Sequence, residues 1–512
     1  MVPKHIFLQI KIPRKHYVYA VSLSKKSPIG DFFVILKKGE KMLEKSFDLR
    51  NTVEILNIED RIPKNHLLRK IDSVVDFTYI YDLVGNLYST ENGRPSIDPV
   101  VLFKIVLIQH LYGIPSLRQT MRDIDMNMAY RWFLGYNFSE SIPHFATVSY
   151  AFCQRYDSDI VEKVFEWILY EAEKAGYLDP KVVFVDATHV KASANLKKHC
   201  KKAIHAAARI YDEKLREEIN ADRAAHGKKP LRDKDDDDDT PTTKTITTST
   251  TDPDCGLFHK GEHQKCFAYG AHTVCDKNNF VLDVEVKPGN LHDSTVFDAV
   301  YDRVTQRFPE VEMVAMDAGY KTPWIAKKVF DDGRLPSFPY KRPMTADYGH
   351  KWYEYVYDEY YDCVICPQHK ALGYSTTNRD GYREYKSRPY ICQQCPTREK
   401  CTRSKSQQKL VTRHVWQDYL ERAEDVRHSP KGKAAYELRS QTIERVFADA
   451  KEKHGMRYTH HRGLSRVANW VRFKFAAMNL KKLATWRWRE RCYFVFLTWF
   501  GALKTKSVFS LA

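Results

Sequence analysis

The chain has 512 residues, with 82 Lys and Arg against 65 Asp and Glu, a formal charge of +17 and a pI near 9.1. That length holds two or three cores rather than one, and the charge favours a polyanionic partner, because each phosphate neutralised by Lys or Arg releases counterions. Lys4, Lys11, Arg14 and Lys15 exclude a signal-peptide pattern and the apolar stretch 492–503 is too short to span a bilayer, so we expect a cytoplasmic, nucleoid-facing protein without a membrane partner. Its eleven cysteines are then reduced thiols or metal ligands.

Residues 1–50 form an N-terminal extension with no pattern that reads as chemistry. Residues 51–156 read as helical: 100–111 is an apolar helix, Gly113-Ile114-Pro115 breaks the chain, Ser116 caps a helix through Leu117 and Met121, and Thr147 is placed to cap another. Helices joined by such short turns suit a helix-turn-helix DNA reader, with Arg118, Arg122 and Arg131 reaching phosphates or bases. They suit equally a plain bundle with Tyr130, Trp132 and Phe133 in its core.

From residue 180 to 342 strands and helices alternate. The apolar run Val182-Val183-Phe184-Val185 is a strand ending at Asp186. Residues 195–261 turn polar, with a charged helix-like segment, five consecutive aspartates within 233–239 and a threonine-rich run. Like charges in series repel and stay solvated, so this reads as a flexible insertion and not as a metal site. A strand over 266–274, a turn at Asp276-Lys277-Asn278-Asn279 and a strand over 280–286 make a hairpin. After the break at Pro288-Gly289-Asn290, Val296, Val300 and Val304 mark a helix over 292–308. Met313-Val314-Ala315-Met316 is a second strand ending in an aspartate, Asp317; a helix over 323–330 and a strand over 335–340 follow.

The insertion at 343–430 holds Cys363-x-x-Cys366 and Cys392-x-x-Cys395, with Cys401 six residues beyond. Two such pairs are the ligand pattern of a tetrahedral structural Zn²⁺ site. The pairs are 25 residues apart and Cys401 competes with Cys395 as a ligand, so reduced buried thiols are the alternative. Tyr374, Arg379, Tyr382, Arg383, Tyr385 and Arg388 read either as a DNA grip or as a solvated rim. Within 431–485, a helix over 434–453 buries Ile443, Val446, Phe447 and Ala450 and puts Glu444 and Lys451 on one face. By pattern alone Arg439 and Lys451 are surface partners of Glu437 and Glu452. His454, His460, His461 and Arg462 form a basic cluster suited to DNA backbone contact, and 486–512 is a tail.

Asp186, Asp317 and Glu444 are therefore two strand-end aspartates and a helical glutamate, 131 and 127 residues apart. Brought together, they would cage hard cations such as Mg²⁺, and paired metals held that way activate water or a 3′-hydroxyl in phosphodiester chemistry. The order strand, strand, strand, helix, strand, helix, strand, helix is that of a ribonuclease H-like α/β core, a mixed sheet flanked by helices. Here it carries an N-terminal helical domain and a small cysteine-rich insertion.

Several stretches then recur in a familiar order: Pro95-Ser96-Ile97-Asp98-Pro99, Tyr130-Arg131-Trp132-Phe133-Leu134-Gly135, Phe184-Val185-Asp186-Ala187-Thr188-His189-Val190-Lys191-Ala192, Gly289-Asn290-Leu291-His292-Asp293 and Asp317-Ala318-Gly319-Tyr320. After them come Tyr436-x-x-Arg439, Glu444, Phe447 and Lys451, then Gly455-x-Arg457, Arg462-Gly463 and Asn479-Leu480-Lys481-Lys482. Over residues 50–485 the chain resembles bacterial insertion-sequence transposases of the DDE type, in the group with a cysteine-rich insertion before the glutamate. It departs from them in having four residues, not the usual three, between Arg439 and Glu444, and Ala448 where glycine is common.

The resemblance implies that Asp186, Asp317 and Glu444 hold two Mg²⁺ or Mn²⁺ ions. It also implies that Tyr436, Arg439, Lys451, Arg457 and Arg462 contact DNA and that His292 and Asp293 support the site from behind. It favours DNA binding for 51–156, and implies a homodimer that binds the element's terminal inverted repeats, cuts there and joins the 3′-ends to target DNA. A ribonuclease H-like nuclease without joining and an inactive DNA-binding derivative are the alternatives.

Overall fold

The computed structural model describes residues 57–89, 96–205, 211–231, 243–260, 264–341 and 349–508. The expected extension at 1–50, Pro95 and the run of aspartates lie outside the described residues. From Asn57 onward the chain forms one compact unit.

The N-terminal part is helical: α1 (Ile58–Arg61), α2 (Leu67–Asp72), α3 (Tyr79–Val84), α4 (Pro99–Leu111), α5 (Leu117–Met126), α6 (Met128–Leu134), α7 (Phe145–Tyr150) and α8 (Ser158–Lys174). Helix α4 is apolar nearly all round, so it is buried from Leu102 to Leu111 except at Lys104. Ser116 caps α5, its Oγ accepting from the Gln119 amide at 3.2 Å. His144, not Thr147, caps α7. Gly113 has φ +63°, and a Cβ there would sit 2.9 Å from the Lys453 carbonyl oxygen, so the turn after α4 needs glycine on two counts.

The central sheet contains β1 (Val182–Lys191), β2 (His199–His205), β3 (Thr243–Ser249), β4 (Gly256–Lys260), β5 (Gln264–Asp276), β6 (Val281–Pro288), β7 (Met313–Met316) and β8 (Leu335–Ser337). Its middle runs β6-β5-β1-β7-β8, with β6, β5 and β1 antiparallel and β1, β7 and β8 parallel. Strands β2, β3 and β4 extend it beyond the other end of β5. This corrects the expectation of a flexible insertion at 195–261: its described residues form those strands and α9 (Asp212–Ala225). Threonine-rich β3 satisfies its backbone by pairing with β2, and β-branched residues suit a pleated surface.

Helices α10 (Phe297–Arg307) and α11 (Pro323–Asp331) flank the parallel strands, and α10 is preceded by a separate 3₁₀ turn, Asp293–Thr295, where one helix from 292 was expected. The cysteine-rich insertion is an antiparallel meander: β9 (Val356–Asp358), β10 (Cys363–Ile365), β11 (Ala371–Thr377), β12 (Tyr382–Lys386) and β13 (Leu410–His414), with α12 (Pro389–Gln393) and α13 (Arg398–Cys401) before β13. Its small core is Val364, Leu372, Tyr385 and Val411. Tyr385 is fully buried and Arg383 pairs with Asp222 of α9 at 2.7 Å, so neither belongs to a solvated rim or a DNA grip.

Helices α14 (Gln417–His428), α15 (Pro430–Glu437), α16 (Ile443–Glu452) and α17 (Leu464–Val508) complete the chain. The single helix expected over 434–453 is broken by a 3₁₀ turn, Leu438–Gln441, and by Thr442 at φ −111°, ψ −99°. Helix α17 packs against α2, α4, α8 and β6, so the N-terminal helices and the sheet share one hydrophobic core. No described helix is long and apolar enough to cross a membrane.

Candidate active site

Strand register brings the two aspartates together. Val185 of β1 pairs with Met316 of β7 in parallel register, so Asp186 and Asp317 follow side by side, Asp317 at the carboxyl end of β7. Asp186 accepts from the Ala187 amide at 2.8 Å and from Arg439 Nη2 at 2.6 Å. Arg439 Nη1 lies 3.5 Å from Asp317 Oδ1, so one guanidinium bridges both carboxylates. Burial pushes the Asp186 carboxyl up to about 6 against the pull of Arg439, and Asp317 and Asp293 push it the same way.

Asp293 joins this group from the 3₁₀ turn after β6. Burial raises its pKa, while nearby His292 lowers it. Gly319, in the turn after Asp317, permits the approach, since a Cβ there would lie 3.0 Å from Asp293 Oδ2. Two side chains that the sequence did not single out complete the surroundings. His272 of β5 stands 3.8 Å from Asp293, and its Nδ1 lies 3.3 Å from the Tyr320 hydroxyl. Burial lowers His272 to about 4, leaving it neutral, and pushes the Tyr320 hydroxyl well up. His272 lies within an apolar strand and Tyr320 three residues past Asp317, so only strand pairing reveals their meeting.

Other expected residues are placed differently. Glu444 is exposed in the first turn of α16, in a surface hollow with Lys277 and Asn279 of the β5–β6 turn, and makes no hydrogen bond or ion pair with Asp186 or Asp317. His292 is exposed and caps its own turn, Nδ1 lying 2.7 Å from Ser294 Oγ. Arg439 is buried in the carboxylate cluster, with Tyr436 beside it at 5.7 Å, which corrects the expectation of a DNA contact in this arrangement. Arg131 is likewise buried, because its guanidinium is taken by the carbonyls of Asp125, Asn137 and Glu140 and by the Asp125 carboxylate. His454 is buried against the His110 carbonyl at 2.9 Å and so is not a DNA backbone contact. Arg118, Arg122, Arg457 and Arg462 are exposed; Arg457 pairs with Glu452, and Arg462 Nε donates to the Ser193 carbonyl at 3.1 Å. Lys451 is half-buried on α16.

Among the described residues, no three His, Cys, Asp or Glu side chains stand close enough together to hold a metal ion. The donor chemistry of the carboxylate cluster nonetheless suits a hard cation, with three clustered carboxylates sharing one guanidinium as counter-charge. In the insertion, Cys366, Cys392, Cys395 and Cys401 line one hollow of about 320 Å³, and Cys363 does not. Cys392 lies 3.1 Å from Ser387 Oγ, Cys395 3.4 Å from Thr397 Oγ1 and Cys401 3.4 Å from the Tyr355 hydroxyl.

A mixed sheet with paired carboxylates at neighbouring strand ends, joined to a basic helical region, is the build of an enzyme acting on a polyanion. The family described as a transposase DDE domain matches residues 365–484, and a transposase domain (DUF772) matches residues 56–154. The chain belongs to the DDE-type insertion-sequence transposases. No curated protein matches it. The DDE match takes in the cysteine-rich hollow, Arg439 and Glu444, and begins after Asp186 and Asp317.

Proposed function

We propose that this transposase binds the ends of its own mobile element, cuts the phosphodiester backbone there and joins the freed 3′-ends to target DNA. The observation that carries this is the pair Asp186 and Asp317, set side by side on adjacent parallel strands in a ribonuclease H-like strand order. These two residues would hold the divalent ions, Mg²⁺ or Mn²⁺. Bound there, such ions would supply a lowered pKa for the attacking oxygen and charge stabilisation for the leaving one.

Arg439 occupies both carboxylates, so it must withdraw before they are free for a cation. Withdrawal also moves the segment that carries Glu444, with the helical path turning at Thr442, and we assign Glu444 as the third ligand after that movement. Asp293 and His272 orient the site from behind. Exposed Arg118, Arg122, Arg457 and Arg462 supply phosphate contacts, two copies engage the paired ends, and the protein works beside the chromosome. The hollow lined by Cys366, Cys392, Cys395 and Cys401 takes a structural zinc ion.

One observation favours a second reading. Glu444 stands apart from the aspartates, as a DNA-binding derivative without catalysis would allow. Incubating the full chain with DNA bearing its element's ends and Mg²⁺ separates the readings. Cleaved and joined products support a transposase, cleavage without joining a nuclease, and binding without cleavage the derivative.

A further inference from the structure

Where α4, α8 and the start of α17 meet, the structure encloses a second cavity of about 500 Å³, within the roughly 300–1,000 Å³ typical of ligand pockets. It lies apart from the carboxylates. Phe152 and Phe473 form aromatic walls, their ring centroids 5.4 Å apart, and His110 is stacked on Phe473 at 5.8 Å with an interplanar angle of 3°. Two buried polar atoms in its lining have no hydrogen-bond partner, His110 Nδ1 and Asn469 Oδ1. His110 is 3% exposed, so its unpaired nitrogen is costly unless a ligand meets it.

The charges around the cavity indicate the kind of ligand. The α5 and α8 amino ends that reach it are satisfied by their own caps, Ser116 and Asp157, and Asp157 adds a negative charge, so the interior does not suit an anion. His460 and Arg466, in contrast, are exposed at the opening. A flat neutral heterocycle with a phosphate outside it matches that division: aromatic walls stack on its faces, a donor and an acceptor meet its edge, and cations meet the phosphate. We propose that the cavity takes one unpaired nucleobase from bound DNA, lying against Phe152 and Phe473 with its edge on His110 Nδ1 and Asn469 Oδ1. A paired base cannot enter without leaving its stack. The proposal rests on the DNA-binding reading above.

The test uses the full chain and three duplexes of one length: fully paired, with a single bulged thymidine, and with an abasic bulge. Fluorescence anisotropy should show the thymidine bulge binding about tenfold tighter than either of the others, the scale of one base–aromatic stack. Cys153→Trp, at an exposed position on the cavity's rim, should remove that preference and leave the paired duplex bound as before. Asn469→Leu should reduce it. Equal affinity for the thymidine and abasic bulges, with paired DNA still bound, overturns the base pocket and leaves DNA binding intact. No binding of any duplex overturns the DNA reading and the pocket with it.

Discussion

Arg439 shows how far a side chain's role depends on residues distant in sequence. Its guanidinium is buried, bridges Asp186 and Asp317, and leaves its own Nε unpartnered. Breaking a buried ion pair by removing one partner typically costs about 3–5 kcal/mol, because the other charge is left uncompensated. Arg439→Gln should therefore lower stability in buffer containing EDTA and bind divalent ions more tightly. Mn²⁺ should then raise its Tm by more than it raises the wild type's, since a ligand of the folded state stabilises by mass action; equal Mn²⁺ responses would contradict the competition between Arg439 and metal. A second residue-scale prediction concerns pH. Burial lowers Lys474 to about 7, and its Nζ donates to the His454 carbonyl at 2.5 Å. The unfolded chain keeps that proton to higher pH than the folded one, so this residue's contribution to stability rises as pH climbs from about 7 towards the ordinary lysine range and is lost as pH falls through about 7. The Tm difference between wild type and Lys474→Met should shift in the wild type's favour from pH 7 to 9.5, and a pH-independent difference would refute the assignment. Asp186 and Asp317 were legible in the sequence because each ends an apolar strand. Arg131, Arg439 and His454 were not, since a basic residue looks the same in sequence whether water or a distant carbonyl awaits it.

Among the elements, the alternation of strands and helices from Val182 to Ser337 was readable from hydrophobic period and turn residues, and the hairpin at Asp276 to Asn279 from its Asn-rich turn. Strands β2 to β4 were missed because their sequence is polar. They are stabilised by edge pairing more than by a buried face, and α9 is held by Asp222 to Arg383 and by His226 to Asp362 at 2.7 Å across to the second sheet. The cysteines show the same limit, because spacing paired Cys363 with Cys366 whereas β10 carries Cys363 away from the hollow. If the hollow holds zinc, Cys401→Ser should lower the bound metal from about one ion per chain and destabilise the fold, while Cys363→Ser should keep it. Mass spectrometry of the native protein and elemental analysis give the count. Zinc lost from Cys363→Ser and retained by Cys401→Ser would reverse the ligand assignment.

At the scale of the whole molecule, α17 ties the N-terminal helices to the sheet. Asn479 makes the join to β6, accepting from the Val281 amide at 2.9 Å and donating to its carbonyl at 2.8 Å. Asn479→Leu leaves both backbone groups buried and unpaired, a loss of about 2–3 kcal/mol, and calorimetry should show the entire unit unfolding earlier in a single transition. Two separated transitions would mean that the helical region and the sheet fold independently. The sequence suggested such a division, because a shared core is invisible until α17 is seen to contact α2, α4 and α8 together. The charge of +17 was legible and points to DNA, but not to the surface that DNA uses. The central claim is that Asp186 and Asp317 form a phosphodiester-cleaving site that Glu444 completes. The most direct measurement is Mg²⁺-dependent cleavage of end-bearing DNA by Asp186→Asn, Asp317→Asn and Glu444→Gln, with Asp237→Asn in the acidic run as control. The account predicts losses of several orders of magnitude for the first three, with end binding retained and the control near wild type. Cleavage near wild type in Asp186→Asn and Asp317→Asn would contradict it.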